Sequence, residues 1–226
     1  MTPQRVRIRE VGQRDGFQNE PEVVATEDKV RLVEMLARTG LERLEVTSFV
    51  RADVIPQLAD GREVLERADI PDDVSVSVLV PNERGLDSAL ELRDRIDEVN
   101  VFLSASETHN RKNVNRSIEE SLAGLEHVLP RAREAGFRCE GVISVSFGCP
   151  YEGEVPPERV FAIARRLMAA GAQEIGFGDT TGIDLDALID CARAVQGVLG
   201  RPLGAHVLTA GPVDWHAGEL RTERAV

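Results

Sequence analysis

Short runs rich in β-branched residues alternate with longer stretches whose apolar positions recur every three to four residues, almost from one end of the chain to the other. The short runs predict strands at Val6–Val11, Arg43–Ser48, Val74–Val80, Glu98–Ser104, Gly141–Ser146, Glu174–Gly178 and Leu203–Val207. The longer ones predict helices near Glu27–Arg38, Gly61–Ala68, Glu83–Arg93, Ile118–Ala135, Pro157–Ala170 and Leu185–Leu199. Strands separated by helices imply βαβ units and a parallel sheet. Gly40, Gly136 and Gly171 follow helical runs, as C-terminal caps do. Ser117 with Glu120 forms a capping box in front of the fifth helix. Seven strands fall short of a closed (β/α)₈ barrel, which needs about 250 residues. The alternative is an open doubly wound sheet, against which no G-x-G-x-x-G follows the first strand.

Composition narrows the class. A chain of 226 residues, 42% apolar and 29% charged, suits one sizeable core. A net charge of −12 disfavours partners such as nucleic acid or an acidic membrane surface. The run lengths contain no transmembrane helix, and the polar N-terminus has no apolar signal core, so a cytoplasmic location is expected. Cys139, Cys149 and Cys191 are too widely spaced for a disulfide framework or a CxxC zinc site.

Polar residues suited to chemistry fall at strand C-terminal ends. Arg14 and Asp15 follow the first strand, Glu45 to Ser48 end the second, Asp179 follows the sixth, and His206 lies in the seventh. In a barrel those ends converge on one face, where active sites lie. Asp15 is the first choice as ligand to a hard divalent cation and His206 the second; a carboxylate, an imidazole and waters suit Mg²⁺ or Mn²⁺. Arg14 suits an anionic substrate or a developing enolate. Glu45 is a lone carboxylate in an apolar strand and needs a partner, for which Arg14 is the obvious cation. Plainer readings stand beside these. Arg14–Asp15 also fits a surface pair flanking a turn, Ser48 a strand end, Asp179 a helix cap, and His206 a packed histidine. Cys149, in a Gly-Cys-Pro turn, reads as structural.

Five segments together carry a family resemblance: Glu10–Glu20 (EVGQRDGFQNE), Glu45–Val50 (EVTSFV), Lys112–Ser121 (KNVNRSIEES), Gly148–Gly153 (GCPYEG) and Gly178–Gly182 (GDTTG). In that order and at that spacing the chain resembles the hydroxymethylglutaryl-CoA lyase family, within the metal-dependent carbon–carbon lyases and synthases built on TIM barrels. The resemblance implies a TIM-type barrel, an acyl-CoA substrate, and retro-Claisen cleavage of 3-hydroxy-3-methylglutaryl-CoA to acetoacetate and acetyl-CoA. It implies a divalent metal on Asp15 and His206, Arg14 on the enolate, and Glu45 and Asp179 in the catalytic site. Ser48, Asn113 (read in the loop Lys112–Asn115) and Thr180 would contact substrate. A homo-oligomer is compatible with it. Gln13 and Phe17 replace the family's usual Pro and Leu, and Pro21 stands where a Lys that helps hold coenzyme A is common.

The resemblance runs from about Val6 to His206 and then stops. Residues 1–207 therefore read as one barrel domain incomplete at its C-terminus, and 208–226 as an aberrant tail. Leu208 stands where the family has its second metal His. A frameshifted or prematurely ended reading of a longer gene is expected, with at most trace activity for this chain. The alternatives are a Claisen-type synthase of the isopropylmalate or homocitrate kind, and an inactive fragment.

Overall fold

The strand β2 (Arg43–Ser48) sets the pattern for the whole sheet: all six residues are buried, yet four of them, Arg43, Glu45, Thr47 and Ser48, are polar or charged, with Leu44 and Val46 among them. A strand covered on both faces is the mark of a parallel sheet. The computed structural model describes residues 7–180 and the backbone of 204–206. Its strands are β1 (Arg9–Glu10), β2, β3 (Ser75–Leu79), β4 (Glu98–Ser104), β5 (Arg138–Ser144), β6 (Glu174–Gly178) and β7 (Gly204–His206). They lie in one seven-stranded sheet in the order of the chain. The pairings β1–β2, β2–β3, β3–β4 and β6–β7 are parallel. A doubly wound sheet reverses its strand order at a switch point. A sheet that steps on in one direction is instead the winding of a TIM-type barrel, so the doubly wound alternative falls.

The helices are α1 (Thr26–Ala37), α2 (Gly61–Arg67), α3 (Glu83–Leu90), α4 (Glu107–Val114), α5 (Ile118–Glu134) and α6 (Pro157–Ala170). Five match the sequence reading within a few residues. The exception is α4, which replaces the predicted loop around Lys112–Asn115. The predicted helix Leu185–Leu199 and the tail 208–226 lie outside the described residues. The capping box is present: Glu120 accepts from the Ser117 amide at 2.7 Å and Ser117 Oγ accepts from the Glu120 amide at 3.1 Å.

Packing divides the chain into two compact units. One holds the chain up to Phe102 together with Gly124–Glu140; the other holds Leu103–Ala123 together with the chain from Gly141. The first has a mixed interior. Its apolar side is built from Val33, Leu44, Val46, Leu65, Val78 and Leu86. Its polar side is an ion network: Arg9 donates to Glu140 and, at 3.1 Å, to Glu98, and Glu98 also accepts from Arg43 and from Ser75 Oγ at 2.6 Å. Burial alone would raise the Glu98 pKa, but the bonds from Arg43 and Ser75 and the charge of Arg9 outweigh it and hold the carboxyl below its usual range. The second unit buries Leu122, Ile143, Val160, Ile163, Leu167 and Phe177.

Candidate functional site

Past β1 the chain turns through a short π-helical segment, Gly12–Gly16, in place of a simple loop. Such turns are uncommon and recur at functional sites. Here the Val11 carbonyl accepts from both the Arg14 amide (3.0 Å) and the Asp15 amide (2.7 Å), so the two side chains leave one tight turn together. Gln13 is buried and its Nε2 donates to the Val46 carbonyl of β2 at 3.0 Å, tying the turn to the neighbouring strand.

Arg14 donates through Nε to Glu45 and through Nη1 to Asp15 Oδ1 at 2.8 Å. Its side chain keeps 13% exposure, against 3% for Glu45 and 31% for Asp15. The cation expected beside the lone carboxylate of β2 is therefore Arg14. Glu45 is also held from its far side, where its Oε2 accepts from Asn100 Nδ2 of β4. The β2–β3 register shifts between Glu45 and Thr47, a bulge next to the carboxylate it serves to aim. Among the described residues Asp15 Oδ2 has no hydrogen-bond donor, so the carboxylate retains an oxygen suited to a hard cation. Ser48 is buried, accepts from the Val50 amide at 3.3 Å, and borders a cavity of about 200 Å³ whose charged lining residue is Arg62.

In the second unit, Asp179 follows β6 and is buried. Thr180 Oγ1 accepts from the Val145 amide at 2.9 Å, which leaves its hydroxyl hydrogen to donate. Val145, fully buried just past β5, has φ +51°, a region that β-branched residues avoid. This strained residue ends β5 earlier than the pattern predicts.

Lys112–Asn115 behaves differently from the sequence reading. Asn113 lies in the last turn of α4, not in a loop, and is exposed. The buried amide of this region is Asn110. It donates to the Arg116 and Ser117 carbonyls (2.9 and 3.0 Å) and to Ser121 Oγ (2.8 Å), and accepts from the Ser104 amide (3.0 Å). Ser106 caps α4 and also accepts from the Cys149 thiol at 3.0 Å. Cys149 is buried and unbridged, as is Cys139, whose thiol is pushed up to about 11 by burial. The Gly148–Gly153 segment closes on itself through two 2.8 Å backbone bonds between Cys149 and Gly153. Its Glu152 accepts from the Thr108 amide at 2.7 Å, in the first turn of α4. That bond, with those from Thr108 and Ser106 hydroxyls and Arg159, lowers its pKa to about 2. His109 Nδ1 lies 2.5 Å from Ser104 Oγ, and burial pulls its pKa down.

The backbone of His206 pairs in register opposite Gly178, at the end of β6; its side chain lies outside the described residues. Among the described residues no three His, Cys, Asp or Glu side chains assemble as a metal site. Sequence reasoning missed Gln13, Asn100 and Asn110, because a strand or loop amide reads alike whether buried or exposed. It missed the Val145 strain because φ leaves no trace in composition.

A parallel sheet ordered as the chain runs, with its polar residues set just past the strand ends, defines a TIM-barrel-type enzyme scaffold. The chain belongs to the HMGL-like family, whose family model matches residues 5–198. It is 48% identical to hydroxymethylglutaryl-CoA lyase YngG of Bacillus subtilis (strain 168) over 199 residues, 88% of this chain and 65% of that protein. A solved hydroxymethylglutaryl-CoA lyase from Pseudomonas aeruginosa superposes with a TM-score of 0.85 at 40% identity, covering 91% of this chain and 68% of that one. An HMG-CoA lyase from Acinetobacter baumannii, solved with coenzyme A and 3-methylmalate, gives 0.80 at 32% identity over 85% of this chain and 62% of that one. The chain spans 53–65% of the length of the curated relatives YngG and the cytoplasmic enzyme of Danio rerio.

Proposed function

We propose that this chain carries the catalytic residues of a carbon–carbon lyase that cleaves 3-hydroxy-3-methylglutaryl-CoA to acetoacetate and acetyl-CoA. The observation that carries the reading is Arg14: a guanidinium fixed by a buried carboxylate at the end of β1, still partly exposed, beside an aspartate with one oxygen uncommitted. The relatives' names supply the substrate; that of the Acinetobacter complex supplies coenzyme A as carrier.

Asp15 and His206 would hold a divalent cation, Mg²⁺ or Mn²⁺, and its chemistry there is to polarise substrate oxygens. Asp179 takes the proton of the substrate's 3-hydroxyl. As that oxygen becomes the ketone of acetoacetate, the bond between the substrate's C2 and C3 breaks and its electron pair passes to the acetyl-CoA enolate. Arg14 faces that enolate oxygen. A cation already anchored by Glu45 needs no reorganisation when the charge appears, so it stabilises the transition state more than the ground state. The proton taken by Asp179 then passes, directly or through solvent, to the enolate carbon, which completes acetyl-CoA and restores the carboxylate. Ser48, Asn113 and Thr180 contact the substrate in this reading, Thr180 through its remaining hydroxyl hydrogen.

The test is acetyl-CoA release from 3-hydroxy-3-methylglutaryl-CoA with Mg²⁺ or Mn²⁺, beside acetyl transfer to 2-oxo acids. Release without transfer is expected. In a version extended to the full length of its relatives, Arg14→Gln should lower kcat by about three orders of magnitude with KM little changed, because the enolate charge arises only along the reaction. Transfer without release would identify a Claisen-type synthase instead, and a change in KM alone would reduce Arg14 to a binding residue.

A further inference from the structure

Asn100 sits in the middle of β4, two residues beyond Glu98 and on the same face of the strand. On β2, Arg43 and Glu45 are spaced in the same way. Between them β3 turns Ser75 and Ser77 to that side in register with Arg43 and Glu45; Ser77 also lies opposite Glu98, and Leu79 opposite Asn100, so β2 and β4 side chains meet diagonally over the serines. Serines are short enough for β2 and β4 side chains to meet across the intervening strand. Two polar rungs result, Arg43 with Glu98 and Glu45 with Asn100.

The second rung differs from the first. Glu98 and Arg43 neutralise each other, whereas Asn100 brings a neutral amide to a carboxylate that already has its cation. One Glu45 oxygen accepts from Arg14 Nε and the other from Asn100 Nδ2. A carboxylate turns easily about its last torsion. Donors on both oxygens fix its plane, and with it the direction in which Arg14 is held. A lysine in place of Asn100 would compete with Arg14 for the charge; an amide does not. Asn100 is fully buried, and among the described residues its Oδ1 has no hydrogen-bond partner. A buried orphan acceptor destabilises a fold.

We infer that Asn100 is a positioning residue: acting through Glu45, it sets the orientation of the Arg14 guanidinium. The inference rests on the reading of Arg14 as the group that meets the enolate, and the experiment separates the two. Nitrogen-edited NMR follows the Arg14 Nε–H, identified by its loss in Arg14→Lys. In the unaltered chain that proton should exchange with solvent about tenfold more slowly than those of exposed arginines. In Asn100→Leu, which keeps volume and removes the donor, exchange should speed up about tenfold. Ser77→Ala, which removes a bond only to the Leu44 carbonyl, should leave it unchanged. Asn100→Val, suited to a strand, is the second variant should Leu fail to pack. Unchanged Arg14 exchange in either folded variant overturns the inference. If neither folds, the amide serves the fold and not Arg14, and the inference fails as well. In turnover, Asn100→Leu should lower kcat about tenfold with little change in KM. A shifted Arg14 signal alongside an Arg14→Gln chain of normal turnover would leave the relay standing and remove the catalytic reading of Arg14.

Discussion

Asp15 commits one carboxylate oxygen to its neighbour Arg14 and leaves the other for a ligand. Asp15→Asn keeps the acceptor that Arg14 uses and removes the negative charge that a hard cation needs. Mn²⁺ affinity, followed by electron paramagnetic resonance, should therefore fall at least about tenfold while the melting temperature stays within a few degrees. Unchanged binding would take Asp15 out of the ligand set. At this scale the sequence spoke through charge. Glu45, isolated between Leu44 and Val46, demanded a cation, and the nearest strand end offered Arg14. Neutral amides gave no such demand. Gln13 and Asn100 complete the same anchor, yet an amide in a run of β-branched residues is equally at home on a surface. Asn113 was chosen from a segment resemblance, and the structure places it on the exposed side of α4, three residues from the buried Asn110.

At the scale of elements, α4 was invisible because Thr108-His109-Asn110-Arg111-Lys112-Asn113 has no apolar stripe. The helix is set instead by its ends and by one buried side chain: the Ser106 cap, the Glu152 carboxylate on its first turn, and Asn110. Asn110→Ala leaves several buried polar groups without partners and should cost about 3 kcal/mol in urea unfolding. Glu152 gives the helix an acid-sensitive end. Its folded pKa of about 2 lies below its ordinary value of 4.5, so the bond contributes stability above about pH 4.5 and loses it as pH falls towards 2. Glu152→Gln should flatten part of the decline in melting temperature across that window; an unchanged acid limb would show that the turn contributes little. By contrast, α6 (Pro157–Ala170) and the Ser117 capping box were legible to the residue, because proline, serine and glutamate at helix starts act through local geometry alone.

For the molecule as a whole, alternation of strand and helix was enough to foresee the class, while strand order, which decides between barrel and doubly wound sheet, needed coordinates. Among the described residues no helix is long and apolar enough to cross a membrane. The ion network around Glu98 was not foreseen, since Arg9, Arg43 and Glu98 each open a strand and Glu140 lies in the first residues of β5, where charge reads as surface. Glu98→Gln leaves Arg9 and Arg43 short of a buried counter-charge and should cost roughly 3–5 kcal/mol, measured by chemical denaturation. The same rungs bear on how β2 finds its place. A slip by one residue would swing Arg43 and Glu45 to the helix-facing side and bring Leu44 and Val46 against Glu98 and Asn100. Wholly aliphatic strands would tolerate such a slip with modest loss. Here it strands a carboxylate, an amide and a guanidinium away from water at once, so the mis-registered sheet is a far poorer resting place for the folding chain than the correct one.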